Sequence, residues 1–445
     1  MRPGRLAILA LLVLGLFAFI WFFERKQPTT DQLRESQGKL FPQLATERVK
    51  KVTVHNQQGE FVLQKEGSSW KLVQPIQDDA NSGVVTALVS QLAGLKAEST
   101  LDAAQLKLAD YGLDKPQKWV RLEEEGGKTY QVSFGQEMPL GNTVAALTDG
   151  RQVYLVSKWV AADVDKDLNG FRSTDLLPFF TADVNALTVV GPAGRWAAAR
   201  SGSLWQLTEP VADLADRDEV EGVLSELAAA RIKEFLDQGA DLAALGLASP
   251  RLSVTLVRKE GSPLALSFGQ ERQGSAGKEV ACRRGERVFW VEATALTHLL
   301  KEPATFRSGK LLQFSTWQVD SLTLQKGESK VVLQRKDGVW RNAQGQEVDS
   351  SPIFSRLATL GDLKVLAFDQ PEPQGTPLGS CELTGEEGLS VQVRFFASSE
   401  PQRLLAVVKG RPKALAVDQA KVEEVLASLP ELGKPRPSPT APAKN

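Results

Sequence analysis

Trp70, Trp205 and Trp340 stand 135 residues apart along a chain of 445, and the residues around them repeat with them. Trp70-Lys71-Leu72-Val73-Gln74-Pro75 matches Trp205-Gln206-Leu207-Thr208-Glu209-Pro210. Tyr111-Gly112-Leu113, followed by Pro116, matches Leu245-Gly246-Leu247, followed by Pro250. Phe134-Gly135-Gln136-Glu137 returns as Phe268-Gly269-Gln270-Glu271, and Phe171-Arg172-Ser173 as Phe306-Arg307-Ser308. Val153-Tyr154-Leu155-Val156 returns as Val288-Phe289-Trp290-Val291. The third copy keeps Trp340 but has Asn342 and Gly345 where the others have Leu and Pro. Solenoid units run to roughly 20–50 residues and cannot fold alone. A unit of this length can bury its own core, so the chain reads as tandem domains.

Each unit has the same internal order. Val49 to Val54 alternates apolar and polar residues, Gly59-Glu60 turns into Phe61-Val62-Leu63, and Ser68-Ser69 turns into Trp70-Lys71-Leu72. That pattern predicts a three-stranded antiparallel meander. A helix follows, with Val84, Leu88, Leu92 and Leu95 on one face behind Asp79 and Asn81 as capping candidates. Copy two uses Val220, Leu224 and Leu227 after Asp216 or Asp218; copy three uses Ile353, Leu357 and Leu360 after Ser350, with Pro352 in the first turn. Four strands over Trp119–Glu124, Lys128–Phe134, Val144–Leu147 and Val153–Val156 come next, then a helix from Lys158 to Leu168. The expected class is α+β, each repeat a mostly antiparallel sheet with helices on one face. The expected domains are 45–180, 181–313 and a degenerate 314–432, with a linker over 27–44 and a Pro-rich disordered tail over 433–445.

Leu6 to Phe23 is 18 residues without a charge. As a helix it reaches about 27 Å, near the thickness of a bilayer core. Leu6, Leu12 and Leu16 would face lipid, and Trp21 and Phe23 would sit at the interface. The run lacks the small-residue cleavage site of a signal peptide, so it reads as an uncleaved anchor over residues 1–26. Basic residues count slightly in favour of a cytoplasmic N-terminus. The expected location is therefore the bacterial inner membrane, single-pass, with the bulk of the chain in the periplasm.

Together the Trp-x-Leu-x-x-Pro strand end, the Tyr-Gly-Leu-x-x-Pro segment, the Phe-Gly strand and the Val-Tyr-Leu-Val strand resemble the DUF4340 family, bacterial envelope proteins of unknown function. The resemblance covers about residues 45–432. It implies an accessory role beside ABC-type export systems of the gliding kind, and it brings no catalytic residues with it.

Little in the chain points to chemistry. Net charge is −1, with 53 basic and 54 acidic residues, so no basic field draws a nucleic-acid backbone. Two histidines, His55 and His298, fall at unrelated places in their repeats and lack the partners of a nucleophilic triad. Cys282 and Cys381 read as free thiols. Gly126-Gly127-Lys128-Thr129 mimics the end of a phosphate loop, but Leu122 stands where that loop needs glycine and a strand follows. Asp163, Asp165 and Asp167 are the best metal candidate, since alternating carboxylates open a calcium loop. Leu168 and Thr174 then occupy the positions of its glycine and its final glutamate.

Trp70, Trp205, Trp340, Gly112, Gly246, Phe134 and Phe268 read as structural residues of the repeat. No cofactor is expected. The function that fits is a non-enzymatic, membrane-anchored binding or scaffold protein, with the bilayer and protein subunits of a transporter or envelope complex as partners. The alternative is a cell-wall or polysaccharide-binding module, for which Trp119, Trp159, Trp196 and Trp317 are the residues to inspect. A hydrolase with paired carboxylates ranks third.

Overall fold

A computed structural model describes residues 37–436, save 140, 142, 149–151 and 203. The chain divides at Thr174/Asp175 into two compact units. The first unit holds one nine-stranded sheet and the second holds a nine-stranded and an eight-stranded sheet, all built to one plan.

In the first sheet the strands are β1 (Val49–Asn56), β2 (Gly59–Glu66), β3 (Ser69–Gln74), β4 (Asp78–Asp79), β5 (Ser99–Asp102), β6 (Lys118–Glu124), β7 (Thr129–Glu137), β8 (Thr143–Leu147) and β9 (Gln152–Ser157). Their spatial order is β4-β3-β2-β1-β6-β7-β8-β9-β5, and every pairing is antiparallel. Two meanders therefore meet at β1 and β6. The helix Ser82–Gly94 connects one edge strand, β4, to the opposite edge strand, β5. Along the way it buries Val85, Leu88, Val89 and Leu92 in the core, and the Asn81 side chain caps it by accepting from the Val84 N–H. Arg217–Ala229, capped by Asp216, repeats the crossing in the second sheet, and Ser351–Gly361 does so in the third with Ile353, Leu357 and Leu360 inward. The Ser350 side chain makes no cap there.

Four expectations need correction. The class is mostly antiparallel β rather than α+β: three large sheets carry few helices. The helix expected over Lys158–Leu168 is broken into Lys158–Val164 and Leu168–Phe171. The break arises because the buried Asn56 amide takes the carbonyls of Val164 (2.6 Å) and Lys166 (2.9 Å), while Asp167 caps the second piece. Its counterpart in the next repeat is a single tight turn, Ala293–Leu296. The N-terminal membrane helix finds no counterpart among the described residues. Among the described residues no helix is long and apolar enough to cross a membrane. The crossing helices of the first two sheets, at 13 residues each, reach only about 20 Å. The stretch with Leu6, Leu12, Leu16, Trp21 and Phe23 lies outside the described residues. With no spanning helix among the described residues, the single-pass inner-membrane location is not supported and is set aside.

The linkers also prove shorter than expected. Leu40, Phe41 and Leu44 pack into the first core, as Leu176 and Leu177 do in the second and Leu311 and Leu312 in the third. At the other end Pro435 pairs with Val348, and Arg436 donates to the Glu347 carbonyl. Residues 437–445 lie outside the described residues.

The repeated motifs are devices of packing. Trp70, Trp205 and Trp340 are 4 %, 0 % and 1 % exposed, and each lies in its sheet's core. Phe134 and Phe268 are buried beside them. The Pro75 and Pro210 that end the tryptophan motif follow cis peptide bonds. Gly112 and Gly246 end their turns in the left-handed region, at φ +66° and +67°, where glycine bears no steric cost. Each turn lays its backbone directly on Gly135 or Gly269: a Cβ at either glycine would fall 2.0 Å from the carbonyl oxygen of Tyr111 or Leu245. Gln270 N–H donates to that Leu245 carbonyl at 2.9 Å. The strand bulges here, between Phe134 and Glu137 and again between Phe268 and Glu271. The docked turn closes a small second core on the outer face, around Leu113, Ala145 and Val153 in one repeat and Leu247, Ala281 and Trp290 in the next.

The G269A substitution tests this account directly. The added methyl must push the turn off the strand, so urea unfolding should show a loss of about 1–3 kcal/mol. An unchanged midpoint would mean that the close approach has no energetic weight.

Candidate functional site

Every structurally complete repeat is closed by a buried ion pair. Arg172, from Phe171-Arg172-Ser173, reaches back to Asp78 on β4 with contacts of 2.7 and 2.8 Å, and both side chains are almost fully buried. Arg307 does the same to Asp213, at 2.8 and 2.9 Å. In the third repeat Pro435 stands where Arg172 and Arg307 do, bridged to Val348 as they are to Ala80 and Ala215.

At Asp213 the pair becomes a joint between the second and third repeats. Arg411, in the turn between the strands Arg403–Val408 and Ala414–Asp418, places its Nε 2.7 Å from Asp213 Oδ1. Its other nitrogens donate to the carbonyls of Ser308, Lys310 and Leu311. Arg307 in turn grips Asp369 of the third repeat, and its hydrogen bonds hold the Asp369 carboxyl below the usual carboxylate range. Both guanidiniums lie over the Phe368 ring, Arg307 at 4.3 Å and Arg411 at 5.8 Å. Two cations against two carboxylates, Asp213 and Arg411 sealed and Asp369 partly exposed, fix the second and third repeats to one another.

Beside this joint lies a groove of about 350 Å³, at the lower end of the range for ligand pockets. One wall is Trp317, which is 53 % exposed; Lys310, Asp218, Gln313 and Glu387 supply polar groups. Trp317 sits on the tight turn Thr316–Gln318, held by the Ser315/Gln318 capping box and by Arg335 donating to the Trp317 carbonyl. The Gln313 amide is already spent on the Ala215 carbonyl and Ser308 Oγ. The side chains of Lys310 and Asp218 make no hydrogen bond or ion pair among the described residues. Such a groove offers an aromatic face flanked by one free cation and one free anion.

The residues singled out as chemical candidates are dispersed. Asp163 is held by Lys166 at 2.6 Å, a bond that lowers its carboxyl below the usual range. Asp165 pairs with Lys118, and Asp167 caps Gly170 N–H. Three carboxylates thus answer three different partners, and among the described residues no group of three or more metal-ligating side chains could hold an ion. His298 bonds Glu226 at 2.7 Å and rests on Gly222, clamping a turn to the crossing helix. His55 stacks on Trp119 at 5.3 Å. Cys282 and Cys381 are free, fully buried and on strands; burial pushes both thiols far up. Gly126 and Gly127, at φ +100° and +84°, form the hairpin turn between β6 and β7.

A domain model described as "Domain of unknown function (DUF4340)" matches residues 70–204 and 205–379. The chain belongs to this family. Both DUF4340 matches begin at a buried tryptophan, Trp70 and Trp205, so the matched unit starts on the third strand of one sheet. No curated protein matches the chain. Among solved structures, two of the DNA polymerase sliding clamp from Pseudomonas aeruginosa, one with ligand, align at 9 % and 8 % identity. Each alignment covers 87 % of this chain and 95 % of the clamp, with TM-scores of 0.16 and 0.15, a likeness on which no argument is built.

Two outcomes follow from these side chains. Asp213→Ala leaves the buried Arg411 guanidinium facing no anion, with Arg307 keeping Asp369 alone, and should cost about 3–5 kcal/mol in denaturant unfolding of the second unit; a loss below 1 kcal/mol would show that water enters the joint. Millimolar calcium should leave the melting temperature of the wild-type chain unchanged, and a rise that Asp163, Asp165 and Asp167 substitutions abolish would restore the metal reading.

Proposed function

We propose that this DUF4340 protein is a non-enzymatic binding scaffold, accessory to an ABC-type export or gliding-type transport assembly. One observation carries the binding part of this reading: the repeats share their core plan, and the first two their closing ion pair, while their outer sheet faces differ. The same row of each sheet reads Glu60, His55, Trp119, Ser133 in the first repeat and Arg195, Val190, Ser253, Ser267 in the second. In the third it reads Lys330, Gln325, Ser380, Arg394. An array that keeps its frame and varies its faces suits several distinct contacts at once, and linked contacts gain in avidity. The transport setting rests on the family resemblance.

A second reading, polysaccharide binding, draws on Trp317. It asks for exposed aromatic rings on one face of a sheet. Trp196 is buried at 1 %, Trp119 is half-buried under His55, and the exposed Trp159 and Trp317 stand on a helix and a turn. Only the groove at Trp317 serves that reading.

Crosslinked capture with the full-length chain, followed by mass spectrometry, separates the two. Recovery of transport ATPase or permease subunits is the expected result. Recovery of wall glycan alone, lost in W317A, would replace the scaffold with the glycan-binding module.

A further inference from the structure

The third repeat differs from the other two in one connection. The segment that docks on the outer face spans residues 103–117 in the first repeat and 236–251 in the second, but only 371–378 in the third. The third therefore lacks the turn and the second core that cover the outer face of its siblings. On the outer face of this sheet lies an open hollow of about 420 Å³ over the strands Val319–Lys326, Gly379–Gly385, Ser390–Ala397 and Arg403–Val408.

Charge in that hollow is unbalanced. Lys330, Arg394 and Lys409 line it against a single acid, Glu382, which accepts from Gln392 at 3.0 Å. The side chains of the three cations make no hydrogen bond or ion pair among the described residues, although Arg394 lies 5.8 Å from the Phe396 ring. At the joint, by contrast, each guanidinium has a carboxylate. Gln325, Ser380 and Thr323 lie between the cations and offer hydrogen bonds without charge. Lys330 and Arg394 face across two intervening strands, so their backbones stand roughly 14 Å apart at the usual strand spacing. An extended peptide covers nearly the same distance in four residues.

We propose that the outer face of the third sheet binds an extended acidic peptide segment of a partner protein, with carboxylates about four residues apart. One carboxylate meets Lys330, the other meets Arg394 with Lys409, and the peptide backbone lies over Gln325 and Ser380. Glu382 disfavours an acid at the centre of the segment and so helps to set its register. The proposal deepens the scaffold reading and rests on it.

The test is fluorescence anisotropy of the full chain with a fluorescein-labelled peptide bearing glutamates four residues apart, and with the same peptide carrying glutamine instead. The acidic peptide should bind, more weakly as salt screens the contacts, and the glutamine peptide should not. The triple variant K330E/R394E/K409E should bind about tenfold more weakly or worse, since three exposed pairs are lost and repulsion replaces them. Unchanged tryptophan fluorescence and unfolding midpoint show that this variant is folded; should it not be, K330Q/R394Q/K409Q carries the same comparison. Equal binding by wild type and a folded variant, or no binding of the acidic peptide, overturns the proposal. So does binding of a polyuronate in preference to the peptide. If the triple variant still captures transport subunits as well as wild type does, this site falls while the scaffold stands. Peptide binding without any captured subunit keeps the site and removes the scaffold's assigned setting.

Discussion

A carboxylate sealed between guanidiniums determines how this protein is assembled. Asp213 belongs to a two-residue edge strand that periodicity alone would scarcely hold in place, and its side chain is fully buried. Charge in such a place is tolerated only when paired and hydrogen-bonded. Arg307 pairs with it from the end of the same repeat, so the last residues of the unit are tied to its fourth strand. Arg411 pairs with it from the next repeat. One aspartate thereby closes one module and orients another. A hydrophobic contact of the same area would hold the modules together, but it would leave their angle free; hydrogen bonds from two planar guanidiniums define direction as well as distance.

This division of labour explains which parts of the repeat were visible in the chain. Strands with alternating burial, such as Val52, Val54, Leu63 and Leu72 on the core side, leave a period of two that reads directly. The buried stripe of Ser351–Gly361 leaves a helical period. Two strands per repeat were missed, β4 and β5 in the first, because two to four residues are too few to show any period. Their places are fixed instead by a residue 94 positions away, Arg172, and by the crossing helix. Two more failures share a cause. The break in Lys158–Leu168 is imposed by Asn56, far off in sequence, and the role of Gly135 lies in a turn that arrives from Tyr111. Tertiary contacts overrode local propensity in both places.

The site was legible in a different way. Trp70, Trp205 and Trp340 read as structural because they recur at one fixed place in the repeat, which argues for packing; all three lie in a core. The polar outer faces were not legible, since exposed Lys, Gln and Ser carry no period of their own and acquire meaning only when register sets Lys330, Gln325, Ser380 and Arg394 in one row. Trp317 marks the limit of both approaches. The same residue type is fully buried at 196 and stands half-exposed beside the joint at 317.

Divergence of the third repeat then follows one physical line. Losing the docked turn uncovers apolar outer-face surface, a liability that open sheets meet with charge. Phe396 shares the outer face with Arg394 at 5 % exposure, and Val407 is flanked by Arg394 and Lys409. Repulsion among three unpaired cations weakly opposes their gathering on one face, and solvent screening keeps that cost small. An arrangement that stabilises nothing within the chain has its natural complement outside it. The joint residues and the open face therefore belong to one design: Asp213 and Asp369 cancel the charges of Arg307 and Arg411 and hold the frame, while Lys330, Arg394 and Lys409 remain uncancelled on the surface that frame presents.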